Sequence, residues 1–305
     1  MEAVLDPFQP LLHLIGRYRQ DVHSLKPPAS AQAFPTAQAH IGELPPGLKE
    51  FLQRWNGATL FRGALRVRAI SELAPAGPEV EEVVLFADGP RESDHWGYAA
   101  AGSGHHFGRW TGQKLIPLHE DFHRWLYAQA RVLDENRTDE AAQLALRIEV
   151  DPDDGLLLMA RGDQLMAEGD GDAALKAFQK AVVRSPDLPS VWQRLGEALL
   201  TVDRSAAVHA LLMALRHTRL PLPYPGAPSA DRGLVRLLES HFPAGDPGWE
   251  RELSHFLNER CLDLRRDEGG ELIESAALAW MRSKLARGDR SGARSMLASV
   301  RDRVL

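Results

Sequence analysis

At 305 residues and 33.8 kDa the chain is longer than one ordinary domain, and the length predicts two. Hydrophobic residues at 44% and charged residues at 26% give the balance of a globular protein, which excludes collagen-like, disulfide-dense and globally disordered chains. Residues 1–133 carry 13 Lys/Arg against 14 Asp/Glu and the remainder 23 against 28, so the net −6 divides as −1 and −5, and neither part is a basic, nucleic-acid-binding body.

The single cysteine, Cys261, excludes an intramolecular disulfide and an all-cysteine zinc site. It falls on the apolar face of WERELSHFLNERCLDL and reads as core. The start, MEAVLDPFQP, lacks the basic residues and apolar run of a secretory signal, and no stretch approaches the ~18 apolar residues of a membrane span. The expectation is a cytoplasmic protein with no membrane partner.

In chain order, FQPLLHLIGRYRQD spaces Leu11, Leu12, Ile15 and Tyr18 at helical intervals, and Pro27, Pro28 and Pro35 break the stretch after it. Residues 38–56 predict two short helices with Pro45 and Pro46 between them, the second ending at Asn56-Gly57. TLFRGALRVRAI, VEEVVLFAD, HWGYAAAG, HHFGRW and QKLIPL then predict strands between glycine turns. HEDFHRWLYAQARVL returns to helix through Phe122, Trp125, Leu126, Gln129 and Leu133. This order predicts an α+β domain over 1–133 with a mostly antiparallel sheet and flanking helices.

Strands vanish after residue 134, and a period of 34 replaces them. It relates Pro152 to Pro186, Leu158 to Trp192, Gly162 to Gly196 and Leu165 to Leu199. Gly162, Leu165, Ala174, Phe178, Ala181 and Pro186 follow the order of a tetratricopeptide repeat, which the segment resembles. The second unit, with Trp192, Leu195, Gly196, Leu199, Ala207, Leu211 and Ala214, runs one residue short. AAQLALRIEVDP reads as half of an eroded earlier unit, and LARGDRSGARSML (285–297) echoes MAEGDGDAALKAF (166–178). Residues 219–247 hold six prolines and interrupt the array; 249–264 and 271–287 resume helical spacing. The prediction is an all-α tetratricopeptide-like domain over 134–305.

Leu44, Pro45, Leu48, Phe51, Leu52, Asn56 and Gly57 in LPPGLKEFLQRWNG, with RVRAISELAP, VVLFADG and GRWTGQKLIPLHEDFHRWL after them, resemble the SUKH superfamily. That superfamily includes fungal cell-wall assembly regulators and bacterial immunity proteins. The resemblance spans roughly residues 36–133, and Ala58 stands where a second glycine is common. It implies a small α+β domain that binds another protein and has no catalytic machinery.

One motif invites chemistry. His119-Glu120-Asp121-Phe122-His123 is a literal H-E-x-x-H, which on a helix binds zinc and activates water. Pro117 lies two residues before it, so the pair falls in a first helical turn, with both histidines flanking an apolar stripe centred near Phe122. The reading is therefore no metal and no cofactor, with His119 and His123 as a remote zinc-peptidase alternative. His95, His105 and His106 add local histidine density without ligand spacing.

Residues 79–94 hold six acids and one base, and Asp88, Glu92, Asp94 and Trp96 form a candidate surface for a basic protein. In the repeats, Met159, Asp163, Met166, Gln193 and Glu197 take the inward positions that tetratricopeptide units present to a peptide. There is no nucleophile–base pair, P-loop or dinucleotide fingerprint. The functional expectation is a non-enzymatic protein-binding module of the bacterial immunity or regulatory type, whose partner would be a toxin or an assembly component. The alternative is a tetratricopeptide scaffold or adaptor.

Overall fold

Prolines set where the first helices begin. In the computed structural model α1 (Gln9–Ile15) carries Pro10 in its first turn and α3 (Pro46–Arg54) starts on Pro46, positions whose missing N–H has no helical acceptor to lose. The same logic overturns one sequence expectation. Pro35 does not break the chain but is the third residue of α2 (Ala33–Ile41), still within the first turn. The structure describes residues 6–102, 104–220, 222–231, 233–260 and 270–295. Cys261, the end of the helix expected over 249–264 and the end of the 285–297 echo lie outside them.

The chain divides into two units, Met1–Arg161 with Tyr224–Ala227, and Gly162–Pro223 with Pro228–Leu305. In the first, eight strands build one antiparallel sheet: β1 (Ser24–Leu25), β2 (Ala58–Leu60), β3 (Leu65–Val67), β4 (Ala74–Gly77), β5 (Val80–Asp88), β6 (His95–Ala101), β7 (Gly104–Trp110) and β8 (Leu115–His119). The order is β1-β2-β3-β5-β6-β7-β8, with β4 also on β5. Pro117 is tolerated because β8 is an edge strand. Opposite it the register shifts between Phe107 and Gly108, where any Cβ on Gly108 would run into the Ile116 carbonyl.

α4 (Phe122–Asp134) closes the sheet, capped by Asp121 Oδ1, which accepts the Arg124 N–H at 2.9 Å. Phe122, Trp125 and Leu126 join Leu48, Phe51, Phe86, Tyr98 and Phe107 in one core. Phe86 is its hub, with ring centroids of Trp125, Phe107, Phe122 and Tyr98 at 4.6, 5.8, 5.8 and 6.1 Å. The residues behind the SUKH resemblance have structural roles here: Leu44, Leu48, Phe51 and Leu52 are buried, and Asn56 Oδ1 accepts the Ile70 N–H at 2.8 Å. Gly57 turns with φ +100°, a conformation that favours glycine.

The first unit runs past residue 133. α5 (Glu140–Val150) packs Leu146 and Val150 against Ala128 and Val132 of α4, and Arg131 Nη1 donates to Glu149 at 2.7 Å. The proline-rich interruption also contributes: Leu115 N–H at the edge of the sheet donates to Pro225 O at 2.9 Å. The Tyr224 ring is fully buried, its hydroxyl bonded to His106 Nδ1. Four residues thus cover a sheet edge that would otherwise offer unpaired backbone groups.

The second unit is helical. α6 (Gly155–Glu168) enters it at Gly162 and is succeeded by α7 (Gly171–Arg184), α8 (Pro189–Leu199) and α9 (Arg204–His217). Gly169 (φ +85°) turns the chain and Asp170 caps α7 through Ala173 N–H at 3.1 Å. Asp203 caps α9 in the same way. These caps are 33 residues apart while Gly162 and Gly196 are 34 apart, so the second unit is short by one residue at its turn. A Cβ on Gly162 would enter the Phe178 ring, and one on Gly196 would lie 2.6 Å from Leu211 Cγ. Both glycines mark close helix crossings. Beyond the interruption, α10 (Leu234–Glu239), α11 (Pro247–His255) and α12 (Gly270–Ala286) share a core with α9 built on Leu215, Leu238, Trp249, Leu253 and Ala276. Among the described residues no helix is long and apolar enough to cross a membrane.

Candidate functional site

Two of the expected inward positions, Asp163 on α6 and Glu197 on α8, meet at a charged centre. Arg194 Nε lies 3.1 Å from Asp163 Oδ1 and Arg194 Nη1 lies 3.0 Å from Glu197 Oε2. Burial pushes the Asp163 carboxyl above its ordinary range against the pull of Arg194. Of the candidate contact residues, Met159, Asp163 and Glu197 are half-buried and Met166 is 48% exposed. Gln193 is different. It is buried, its Oε1 accepts the Asp231 N–H at 2.8 Å and its Nε2 donates to Glu197 at 2.8 Å. The proline-rich interruption therefore reaches Gln193 through Asp231. The acidic character is smaller than the composition suggests, because Arg194 serves both acids.

The 79–94 segment is also less free than its charge. Asp88 accepts from Arg68 at 2.5 and 3.1 Å, is joined by Arg66 at 3.4 Å, and lies 3.0 Å from His95 Nδ1. Burial opposes ionisation, but the Arg68 and His95 bonds prevail and hold the carboxyl below its usual range. Asp94 closes its own loop, accepting the Arg91 N–H at 3.3 Å. Trp96 lies half-buried, edge-on to Trp125 at 5.5 Å and beneath Arg147 at 6.0 Å. Glu92 is exposed.

The H-E-x-x-H histidines part company. His119 ends β8 and His123 is the second residue of α4, so the two never share a helical face. His123 lies edge-on to Phe8 at 4.7 Å, 3.3 Å from Glu50 and 3.6 Å from Asp121. Burial works against its protonation, yet the two carboxylates win and raise its pKa. The zinc-peptidase alternative fails on this geometry.

His119 instead enters a buried polar knot that no motif announces. Its Nε2 is 3.4 Å from Arg147 Nη1, and Arg147 Nη2 donates to Gln129 at 2.7 Å. A guanidinium only donates, so Nε2 accepts and the ring proton sits on Nδ1. That Nδ1 has no hydrogen-bond partner and lies 3.8 Å from Asp154 Oδ2. Asp154 caps α6, accepting from Leu157 N–H at 3.1 Å and Glu120 N–H at 2.9 Å. Burial lowers His119 to about 3, lowers Arg147 to about 10 and raises Asp154 to about 7.

Residues 156–198 match the family model of the tetratricopeptide repeat (TPR_14). The match falls on α6, α7 and α8, and the rest of the chain lies outside it. Among solved structures, the crystal structure of MamA is similar at 15% identity and a TM-score of 0.35, over 57% of this chain and 92% of that one. No curated protein matches.

Proposed function

We propose that the protein is a non-enzymatic adaptor whose repeat unit holds a peptide segment of another protein. The observation that carries this reading is the tetratricopeptide match over 156–198, with its 34-residue glycine register at close helix crossings. Met159, Asp163, Met166 and Glu197 form the contact set, and Gln193 serves to hold the face in shape. Flexible thioethers beside a charge centre suit a segment with apolar and basic side chains. Such a segment binds by displacing Arg194 from Asp163 and Glu197. The test is affinity purification with mass spectrometry, repeated with Asp163→Arg/Glu197→Arg. Loss of the partners at an unchanged melting temperature supports the reading; the same partners at the same yield exclude this face.

A finer reading makes the partner a toxin and the protein its immunity factor. What favours it is the first unit, whose SUKH-like stretch supplies the helix α3 packed into the sheet core. Glu92 and Asp94 are then the contact acids, and Glu92→Lys/Asp94→Lys should release a partner that the repeat variant still binds.

A further inference from the structure

A buried polar cluster lies where β8 ends and α5 hands over to α6. His119 is fully buried and its Nδ1 is unpartnered, a condition rare in folded proteins and one that calls for an explanation. Asp154, at the start of α6, places Oδ2 3.8 Å from that nitrogen, and Asp151 follows the last residue of α5. One donor atom from each of the three residues lies within 4.8 Å of the other two. His119 ends β8, while Asp151 and Asp154 flank the turn from α5 to α6, and only His119 belongs to the H-E-x-x-H pattern.

We propose that His119 Nδ1, Asp151 and Asp154 bind a divalent first-row transition cation of the Zn²⁺ or Mn²⁺ type, which ties β8, α5 and α6 together. One imidazole and two carboxylates form a mixed nitrogen–oxygen set that suits such ions, whereas Ca²⁺ takes oxygen ligands alone. Bonds of ~2.0–2.2 Å place neighbouring donors ~3–3.5 Å apart, so the three need to close by roughly 1 Å. Asp154 is buried, and the hydrogen bonds its carboxylate accepts come from backbone N–H groups, those of Glu120 and Leu157. A bound cation supplies a positive charge there.

Arg147 opposes it. Ligation through Nδ1 moves the ring proton to Nε2, which then faces a guanidinium that can only donate. Metal-bound histidines normally give that second N–H to an acceptor. Arg147 therefore weakens the site, and replacing it by a residue with an acceptor oxygen strengthens it.

The test uses the full-length protein, stripped with EDTA, loaded separately with ZnCl₂, MnCl₂ or CaCl₂, desalted, and assayed for metal and melting temperature. Zinc or manganese should be retained at about one ion per chain, calcium should not, and the retained ion should raise the melting temperature by several degrees. Asp151→Asn should bind ~10–100-fold more weakly while its metal-free form melts with the metal-free wild type. His123→Ala should bind as wild type, and Arg147→Gln about tenfold more tightly. Wild type without stoichiometric metal, or Asp151→Asn binding like wild type, overturns the assignment. If Asp151→Asn does not fold, Arg147→Gln decides, and an affinity no higher than wild type overturns it.

Discussion

The two units hold themselves together in different ways. The first gathers Phe51, Phe86, Phe107, Phe122 and Trp125 from strands and helices distant in sequence into one aromatic cluster. The second repeats a local contact, a glycine under a large side chain, at Gly162 beneath Phe178 and at Gly196 beneath Leu211. In the sheet unit each ring supports several others, so a loss in one place is felt throughout. In a repeat each unit contacts mainly its neighbours, so damage stays near its origin.

The strongest way to break this contrast is Phe122→Ala. It should cost about 3–5 kcal/mol by cavity formation, and chemical denaturation should lose the sheet and its helices in a single transition. Next comes Gly196→Leu, which should cost about 1–3 kcal/mol by overpacking. Faster hydrogen exchange should then be confined to α8 and α9. Gln179→Leu, on the exposed face of α7, should stay within ~0.5 kcal/mol; equal tolerance at both positions would mean the crossing is not as close as Gly196 implies.

Tyr224→Phe removes the hydroxyl bonded to His106 and should cost about 1 kcal/mol. The same contact has a pH signature. Burial, aided by His105, lowers His106 to about 4 from an ordinary 6.5. The unfolded imidazole therefore takes up its proton first, and its contribution to stability falls as pH drops from about 6.5 to about 4. A melting-temperature profile flat over that window in wild type would contradict the burial of His106. His123→Ala should also have a small effect, within about 1 kcal/mol, since Glu50 is half-exposed. Its sign is opposite: a raised pKa gives stability that is complete below 6.5 and fades as pH rises through the folded value.

Legibility in the sequence divides along the same line. The 34-residue register was legible because helix pairing is local, and the one-residue shortening appeared as a slip in spacing before Ala207. β5 was legible as VEEVVLFAD because its apolar run is continuous. Pro35 misled because a proline's meaning depends on its position within a turn. The knot at His119 was invisible because Asp151 and Asp154 lie 32 and 35 residues away, and nothing in a one-dimensional pattern pairs them. Only the literal H-E-x-x-H stood out, and its second histidine has a different neighbourhood. The excess of acids in 79–94 likewise overstated the free charge, because Arg66 on β3 and Arg68 just after it neutralise Asp88.

The four residues Tyr224–Ala227 have a consequence for synthesis. The first unit is not complete when Arg161 leaves the ribosome; its last piece arrives 66 residues later. At ~5–20 residues per second that is a wait of roughly 3–13 s, during which the β8 edge and the His106 ring lack their cover. The nascent protein must pass through an interval with an open sheet edge while the rest of the first repeat and the whole of the second are being made. Shortening the chain between Arg161 and Tyr224 would shorten that interval, and a ribosome stall within it would prolong the exposure.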